Sequence, residues 1–168
     1  MPKTLAIIGS SRSGGETSSI VESVIGDQKA EIIELNSKNI SPFDYEHKNS
    51  EDDFVAIAEK MAASDAIIFA TPVYWYAMSA QLKTFFDRFT DLITIKKDIG
   101  RNLKGKKCYL VCCGSEKQMP EGFEVPFSAT CNYLDMEYKG CLYCCTGKKE
   151  SEKTATEEVA AFNEKVFG

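Results

Sequence analysis

Five short apolar runs, separated by longer amphipathic stretches, are the feature that most limits what this chain can fold into. The runs are continuous rather than alternating, which is typical of strands buried on both faces of a parallel sheet. They are Leu5–Ile8, Ile32–Leu35, Ala66–Ala70, Cys108–Cys113 and Cys141–Cys145. Apolar residues at helical spacing predict helices over Ser19–Ile25, Asp53–Met61, Ser79–Phe89, Phe127–Leu134 and Glu157–Phe167. This alternation predicts a doubly wound α/β fold.

Size and composition restrict the class of protein. The 168 residues favour one domain over residues 1–168, and the net charge of −5 without a basic patch argues against nucleic-acid binding. No segment has the length and apolarity to span a bilayer, and the N-terminal residues lack the apolar stretch of a signal peptide. Seven cysteines in a chain without a secretory signal indicate reduced thiols. We therefore expect a cytoplasmic protein.

Three longer stretches are predicted to be irregular, and long loops in a compact domain are often functional. They are Asn36–Asp52, Asp91–Lys106 and Gly114–Val125. In doubly wound sheets, ligands bind beyond the carboxyl ends of the strands, where the strand order reverses. If the order is 2-1-3-4-5, that point lies between the first and third strands. The loops that follow these two strands are therefore the first candidates for a binding site.

The first strand runs into a loop of glycines and hydroxyl residues, GSSRSGGETSS, at residues 9–19. The loop lacks the lysine of a nucleoside-triphosphate-binding loop, and it lacks the dinucleotide-binding motif GxGxxG. Nucleoside-triphosphate hydrolysis and this mode of dinucleotide binding are therefore both poorly supported. Its hydroxyls, its backbone N–H groups and the helix N-terminus behind it suit one terminal phosphate, to which Arg12 would add positive charge. Ser19 with Glu22 fits a capping box, which predicts a helix start near Ser19. The alternative is a turn that only caps the helix.

Three consecutive aromatic residues follow the third strand: Tyr74, Trp75 and Tyr76. Pro72 biases Thr71 toward extended backbone and ends the strand. Three successive aromatic side chains cannot all face one core, so at least one should be exposed or face a ligand. A planar, electron-poor ring would stack well there. The alternative is that they cover the core or a subunit interface.

The segments GSSRSGGETS and TPVYWYAMSAQLKTFFDR resemble the NAD(P)H-dependent FMN reductase family of flavodoxin-like proteins, and the resemblance covers most of the chain. It implies a flavodoxin-like three-layer α/β fold with a five-stranded parallel sheet of order 2-1-3-4-5. It also implies bound FMN, with the phosphate at the first loop, the isoalloxazine ring along the aromatic loop, and the loop after the fourth strand at the ring's other edge. The implied cofactor-binding residues are Ser10, Arg12, Thr17, Ser18, Pro72, Val73, Tyr74, Trp75, Tyr76, Cys113, Gly114 and Ser115.

The resemblance further implies a flavoprotein oxidoreductase that passes a hydride from NADH or NADPH to FMN and then reduces a small acceptor, such as a quinone or flavin. No side chain needs to act as acid or base, so we assign no catalytic residue. Family members are usually dimers or tetramers, so we expect a homodimer or homotetramer. The alternative is a flavodoxin-like electron carrier without nicotinamide turnover, whose acidic charge would suit a basic redox protein.

The chain departs from its relatives in two ways. Many of them have Asn where this chain has Glu16, and a carboxylate beside a phosphate is unfavourable unless it points to solvent. The related iron–sulfur flavoproteins carry a compact cysteine motif after the second strand, whereas this chain has NISPFDYEHKNSEDD there. Cys141 and Cys144 form a CxxC, but in a strand they point to opposite faces. We therefore expect no cluster and no zinc, and we expect His47 to lie at the surface.

Overall fold

A parallel sheet of five strands forms the centre of the protein. The computed structural model describes residues 3–146 and 152–168, without the side chains of 152–155. The strands are β1 (Thr4–Ile8), β2 (Ala30–Glu34), β3 (Ala66–Pro72), β4 (Lys107–Gly114) and β5 (Glu137–Cys145). They pair in the order β2-β1-β3-β4-β5, and every pair is parallel. The predicted α/β class and the predicted strand order are confirmed.

Helices cover both faces of the sheet. They are α1 (Glu16–Ile25), α2 (Phe54–Ala62), α3 (Ala80–Asp87), α4 (Phe89–Thr94), α5 (Lys97–Arg101), α6 (Val125–Tyr133) and α7 (Glu152–Phe167). Helices α1 and α7 bury their apolar residues against one face, and α2, α3, α4 and α6 bury theirs against the other. No helix in residues 3–146 or 152–168 is long and apolar enough to cross a membrane.

The two cores explain why the strand sequences are continuously apolar. In β1, Leu5 and Ile7 belong to the core under α2 and α3, whereas Ala6 and Ile8 belong to the core under α1 and α7. Successive side chains of a strand point to opposite faces, so a strand covered on both sides needs an apolar residue at every position. All five residues of β1 are accordingly buried.

The predicted start of the first helix is wrong. Helix α1 begins at Glu16 with Gly15 at the N-cap, which makes no side-chain cap hydrogen bond. Ser19 lies inside the helix, where its hydroxyl donates to the backbone oxygen of Gly15 at 3.2 Å. The serine therefore bonds back to the preceding turn, as hydroxyl side chains within helices often do, instead of capping.

The predicted helix Ser79–Phe89 is two helices with Ser79 as the cap of the first. Helix α3 ends at Asp87 and α4 begins at Phe89. The apolar stripe continues across the junction, so periodicity alone does not reveal the break. The segment Asp91–Lys106 was expected to be irregular, yet it holds the rest of α4 and all of α5.

Other element boundaries differ by a few residues. Strand β2 ends at Glu34, because Leu35 begins a 3-10 helix, Leu35–Ser37. Strand β5 begins at Glu137, earlier than its apolar run, because it lies at the sheet edge and tolerates polar residues. Helix α7 begins at Glu152 rather than Glu157.

Candidate functional site

The loop after β1 is fastened tightly to the neighbouring elements. The N–H of Gly9 donates to the backbone oxygen of Ala70 at 2.8 Å. A Cβ added to Gly9 would lie 2.5 Å from the Cβ of Leu82, so only glycine allows the loop to approach α3 this closely. The Ser79 hydroxyl, which caps α3, donates to the backbone oxygen of Gly9. The loop is therefore held between the ends of β1 and β3 and the start of α3.

The first turn of α1 leaves backbone donors for an anion. Because Gly15 at the N-cap has no side chain, no cap side chain accepts from the N–H groups behind it. Ser10 is buried, and its hydroxyl accepts from the N–H of Arg12 at 3.3 Å, while the Arg12 side chain is exposed. A helix N-terminus also carries partial positive charge. This end of the sheet can therefore hold a phosphate.

Ser18 bonds to a residue that sequence reasoning missed. Its hydroxyl donates to the Glu34 carboxylate at 2.9 Å. Hydrogen bonds from the Ser13 hydroxyl, the Ser18 hydroxyl and the Gly14 N–H hold the pKa of Glu34 below its usual value, although burial opposes this. A carboxylate at the carboxyl end of β2 therefore orders the loop after β1. The only sequence signal was an acidic residue at the end of a predicted strand.

The aromatic loop after β3 is a tight two-residue hairpin. Tyr74 and Ala77 exchange backbone hydrogen bonds of 2.9 and 3.1 Å, and the tip residues Trp75 and Tyr76 have φ of 48° and 65°. Positive φ at both tip residues is the type I′ arrangement, which usually requires Asn or Gly. Bulky residues in this conformation are strained, and such strain concentrates at functional sites.

The hairpin presents its aromatic rings to solvent. Tyr74, Trp75 and Tyr76 are 48%, 93% and 70% exposed, which confirms that the three do not share one core. The turn uses the N–H groups of Tyr74 and Ala77, and the backbone hydrogen bonds of residues 3–146 include none donated by the N–H groups of the two tip residues. The hairpin thus offers backbone donors and flat apolar surface at the same edge as the loop after β1.

The loops after β1, β3 and β4 meet at this edge. The Thr17 hydroxyl lies 3.3 Å from the Cys113 sulfur. The N–H of Val73 donates to the backbone oxygen of Cys113 at 2.7 Å, directly after Pro72 at the end of β3. A Cβ on Gly114 would lie 3.3 Å from the Cβ of Val73, so these two loops are in close contact. The predicted cofactor residues of the three loops are therefore brought together.

The loop after β4 carries no activated nucleophile. Burial raises the pKa of the Cys113 thiol by more than the hydrogen bond with Thr17 lowers it, and the charge of Glu16 adds a smaller increase. Ser115 is exposed and lies one residue beyond Gly114. The Tyr143 hydroxyl donates to the backbone oxygen of Glu116 at 2.7 Å and so ties this loop to β5. The geometry suits binding of a cofactor rather than covalent catalysis by the protein.

The ring side of the site is an open groove rather than an enclosed cavity. A small cavity of about 170 Å³ lies between the aromatic hairpin and the loop after β4, and Trp75, Tyr76, Gly114 and Ser115 help to line it. A larger pocket of about 1280 Å³ lies between α1 and α7 but includes none of the three aromatics. We place the site at the three loops, because a planar ring stacks on exposed aromatic surface and needs no closed cavity.

The residues at the three loops fit FMN. The first turn of α1 and the Ser10 loop supply phosphate donors, and the hairpin supplies flat surface with two N–H groups that its own turn does not use. Glu16, whose negative charge would disfavour a phosphate nearby, is exposed to solvent. It therefore meets the condition under which a carboxylate near a phosphate is tolerated.

The structure also tests the expectations about the CxxC cysteines and about His47. Cys141 packs against the core under α6, while Cys144 belongs to the core under α1 and α7, so the CxxC side chains do point to opposite faces. His47 is only partly exposed, and its Nδ1 lies 2.9 Å from the buried Asp91 carboxylate, so the expected surface position is wrong in part. Within residues 3–146 and 152–168, no group of three His, Cys, Asp or Glu side chains is placed to hold a metal.

Comparison with known proteins decides the family. The family model described as NADPH-dependent FMN reductase matches residues 2–125. The chain belongs to this family. It is 30% identical over 148 residues to a Bacillus subtilis protein named "Putative NAD(P)H-dependent FMN-containing oxidoreductase YwqN", and the match covers 82% of each chain. The predicted family and the predicted enzyme class, an NAD(P)H-dependent FMN or quinone oxidoreductase, are thereby confirmed.

Two further relatives extend the comparison. An FMN-dependent NADH:quinone oxidoreductase of Burkholderia thailandensis is 34% identical over 82 residues, which is 45% of this chain and 41% of that protein. The Trp repressor binding protein of Bacillus subtilis has a structure that superposes with a TM-score of 0.76 at 23% identity, covering 98% of this chain and 97% of that one. The second likeness concerns the fold alone.

Proposed function

We propose that this member of the FMN reductase family oxidises NADH or NADPH through bound FMN and reduces a small acceptor of the quinone or flavin class. The convergence of the loops after β1, β3 and β4 carries the proposal, because it joins a phosphate-binding helix N-terminus to an exposed aromatic hairpin. FMN, when bound, supplies the redox chemistry by taking a hydride from the nicotinamide and passing the electrons on. The name of the Burkholderia relative supports a quinone as acceptor.

The protein's own residues bind and orient in this proposal. Ser10, Arg12 and the N–H groups at the start of α1 hold the phosphate, and Thr17 fixes this loop against Cys113. The hairpin would hold the ring of FMN, and the N–H groups of Trp75 and Tyr76, which the turn does not use, would be the donors toward it. Donors aimed at a reduced ring stabilise the negative charge that develops there. No side chain is required to move a proton.

The proposal extends to the form of the protein. All five strands belong to one sheet, which supports residues 1–168 acting as one FMN-binding domain. Cys108, Cys112, Cys113, Cys131, Cys141 and Cys144 are free thiols, which supports a cytoplasmic location. The resemblance to the family supports a homodimer or homotetramer.

Anaerobic stopped-flow absorbance tests the reaction. We expect NADH or NADPH to bleach the visible spectrum of the FMN-loaded protein within catalytic times, and an added quinone to restore it. Trp75→Ala should slow bleaching at least about 10-fold while FMN affinity changes less, because misplacement of reacting groups is costly and the phosphate anchor is elsewhere. Tyr133→Ala, which removes an aromatic ring that is 74% exposed on α6, is the control and should change neither quantity.

The electron-carrier alternative predicts a different result. If dithionite bleaches the bound FMN but neither nicotinamide does, the reductase proposal is wrong and the carrier takes its place. Equal losses of FMN affinity and bleaching rate in Trp75→Ala would show that the hairpin serves only to retain the cofactor.

A further inference from the structure

Three sulfur atoms form a cluster on the side of the sheet covered by α6, and one of them, that of Met119, belongs to the loop after β4, beyond the residues of that loop assigned to FMN. The sulfurs of Cys112 and Cys141 are 3.4 Å apart, and the Met119 sulfur lies 3.8 Å from the first and 3.7 Å from the second. Cys112 is fully buried, whereas Cys141 and Met119 are partly exposed. Two thiols and one thioether are thus arranged as a nearly equilateral triangle.

The dimensions of this triangle suit a soft monovalent metal ion. The point equidistant from the three sulfurs is about 2.1 Å from each, and an ion about 1 Å out of their plane would reach the ~2.3 Å typical of metal–thiolate bonds. Thiolate and thioether sulfur are the donors that select Cu(I) over hard cations. We propose that Cys112, Cys141 and Met119 form a three-coordinate Cu(I) site.

The loop that carries Met119 is held in place by β5. The Tyr143 hydroxyl donates to the backbone oxygen of Glu116, and the N–H of Thr146 donates to the backbone oxygen of Gly114 at 2.8 Å. These bonds fix the loop on both sides of residue 115, a few residues before Met119. A ligand set assembled before the metal arrives loses less conformational freedom on binding.

The cluster is accessible from the edge of the sheet. A pocket of about 610 Å³ beside β5 is lined by Met119 and Cys141 among others, so an ion can reach two of the three ligands directly. Lys117 and Lys165 also line this pocket, together with Glu158. The excess of positive charge favours the complex, which carries one negative charge when two thiolates and one thioether bind Cu(I).

Binding involves exchange of protons for metal and no change of oxidation state. The hydrogen bond with Cys141, burial and the neighbouring thiols raise the pKa of the Cys112 thiol, so it is neutral without metal. On binding, the two S–H bonds break, two copper–thiolate bonds and one copper–thioether bond form, and two protons pass to solvent. The expectation of no metal site rested on cluster and zinc motifs, in which a methionine has no place.

Competition against the chromophoric Cu(I) chelator bicinchoninate, without oxygen and with FMN-loaded protein, tests the site. We expect one Cu(I) per chain, with affinity lowered at least about 10-fold in Met119→Leu and competition lost in Cys141→Ser. Leucine and methionine have similar volumes, so Met119→Leu should fold as the wild type does. Cys144→Ser is the matched control, since Cys144 lies on the same strand but faces the other core, and it should keep the wild-type affinity.

X-ray absorption of the copper-loaded protein provides an independent measurement. Three sulfur neighbours at about 2.3 Å support the site. The proposal is overturned if Met119→Leu and Cys141→Ser, both shown by circular dichroism to be folded, compete for Cu(I) as well as the wild type does. It is equally overturned if Cys144→Ser loses the metal while Cys141→Ser retains it.

Discussion

At the scale of single residues, Glu34 shows how the protein orders a loop that is rich in glycine. Its carboxylate receives hydrogen bonds from Ser13, Ser18 and the Gly14 N–H, and Asn36 donates in turn to the Ser13 hydroxyl at 2.9 Å. Gly14 has φ of +62° with open space around it, so the backbone there has little else to restrain it. An internal anion therefore holds the loop in shape beside the position proposed for the phosphate.

Glu34→Gln should lower the free energy of unfolding by about 1 kcal/mol at pH 7, because an amide accepts fewer hydrogen bonds and turns an NH₂ group toward donors. The pKa of Glu34 is depressed in the folded protein, so its contribution is present above the unfolded value near 4.5 and disappears as pH falls through the lower folded pKa. Urea unfolding of both proteins should therefore differ at pH 7, and the difference should shrink as the pH falls below 4.5.

Glu31→Gln is the control for that measurement. Glu31 lies on the same strand, and its partner Lys60 is half exposed, so the pair should contribute less than about 0.5 kcal/mol. A difference for Glu34→Gln that stays constant from pH 7 to pH 3 would mean that the ionised carboxylate is not what stabilises the loop.

At the scale of elements, a buried arginine joins the loop of residues 38–53 to α3 and α4. Arg88 is fully buried at the junction of these helices and bonds to Asp91 at 2.8 Å and to Asp52. It also donates to the backbone oxygen of Ser41 at 3.1 Å and lies 4.8 Å from the ring centre of Phe54. Burial disfavours its charge, but the two carboxylates outweigh this and raise the pKa of Arg88. The loop is thereby fixed without strands or helices of its own.

Arg88→Met should destabilise the protein by about 3–5 kcal/mol, because it leaves the buried carboxylates of Asp52 and Asp91 without the cation that lies between them. The matched control is Lys83→Met on α3, the helix that ends just before Arg88. Lys83 forms an exposed ion pair with Asp87 at 2.6 Å, and the loss of this pair should cost about 0.5 kcal/mol or less. Thermal and urea unfolding measure both. Similar effects of the two substitutions would contradict the assignment of the loop's anchor to Arg88.

The sequence predicted the elements whose signals are local and missed those that depend on distant contacts. Continuous apolar runs located all five strands because burial on both faces leaves a mark at every position. The break between α3 and α4 was missed, because Arg88 is compatible with a continuous helix. Its ion pair with Asp52, which is far away in the sequence, is visible only in the folded protein. The role of Glu34 was missed for the same reason. The loops of the site could be predicted, because a glycine-rich stretch after the first strand and three consecutive aromatic residues after the third are unusual.

At the scale of the whole molecule, the parallel sheet is what brings the site residues together. Strands β1, β3 and β4 are neighbours, so their carboxyl ends open at one edge and place three loops side by side. The reversal of strand order between β1 and β3 separates their following helices, and a ligand can enter between them. The phosphate end and the aromatic end lie on different loops, so changes at each end should affect binding independently.

This separation leads to a prediction about which flavin the molecule binds. The loop after β1 suits one terminal phosphate, so FMN should bind more tightly than FAD, whose phosphate is esterified further, and than riboflavin, which has none. Saturation with FMN at about 100 times its Kd stabilises the folded state by about 2.7 kcal/mol. For a chain of this size that raises the melting temperature by about 5–10 °C, and FAD and riboflavin at the same concentration should raise it less.

Arg12→Ala should weaken FMN binding by about 1–3 kcal/mol through loss of a charged hydrogen bond, yet leave riboflavin binding unchanged. Thermal shift and fluorescence titration of the flavin-free protein measure both effects. Equal shifts for the three flavins, or equal losses for FMN and riboflavin in the variant, would show that the loop does not recognise a phosphate.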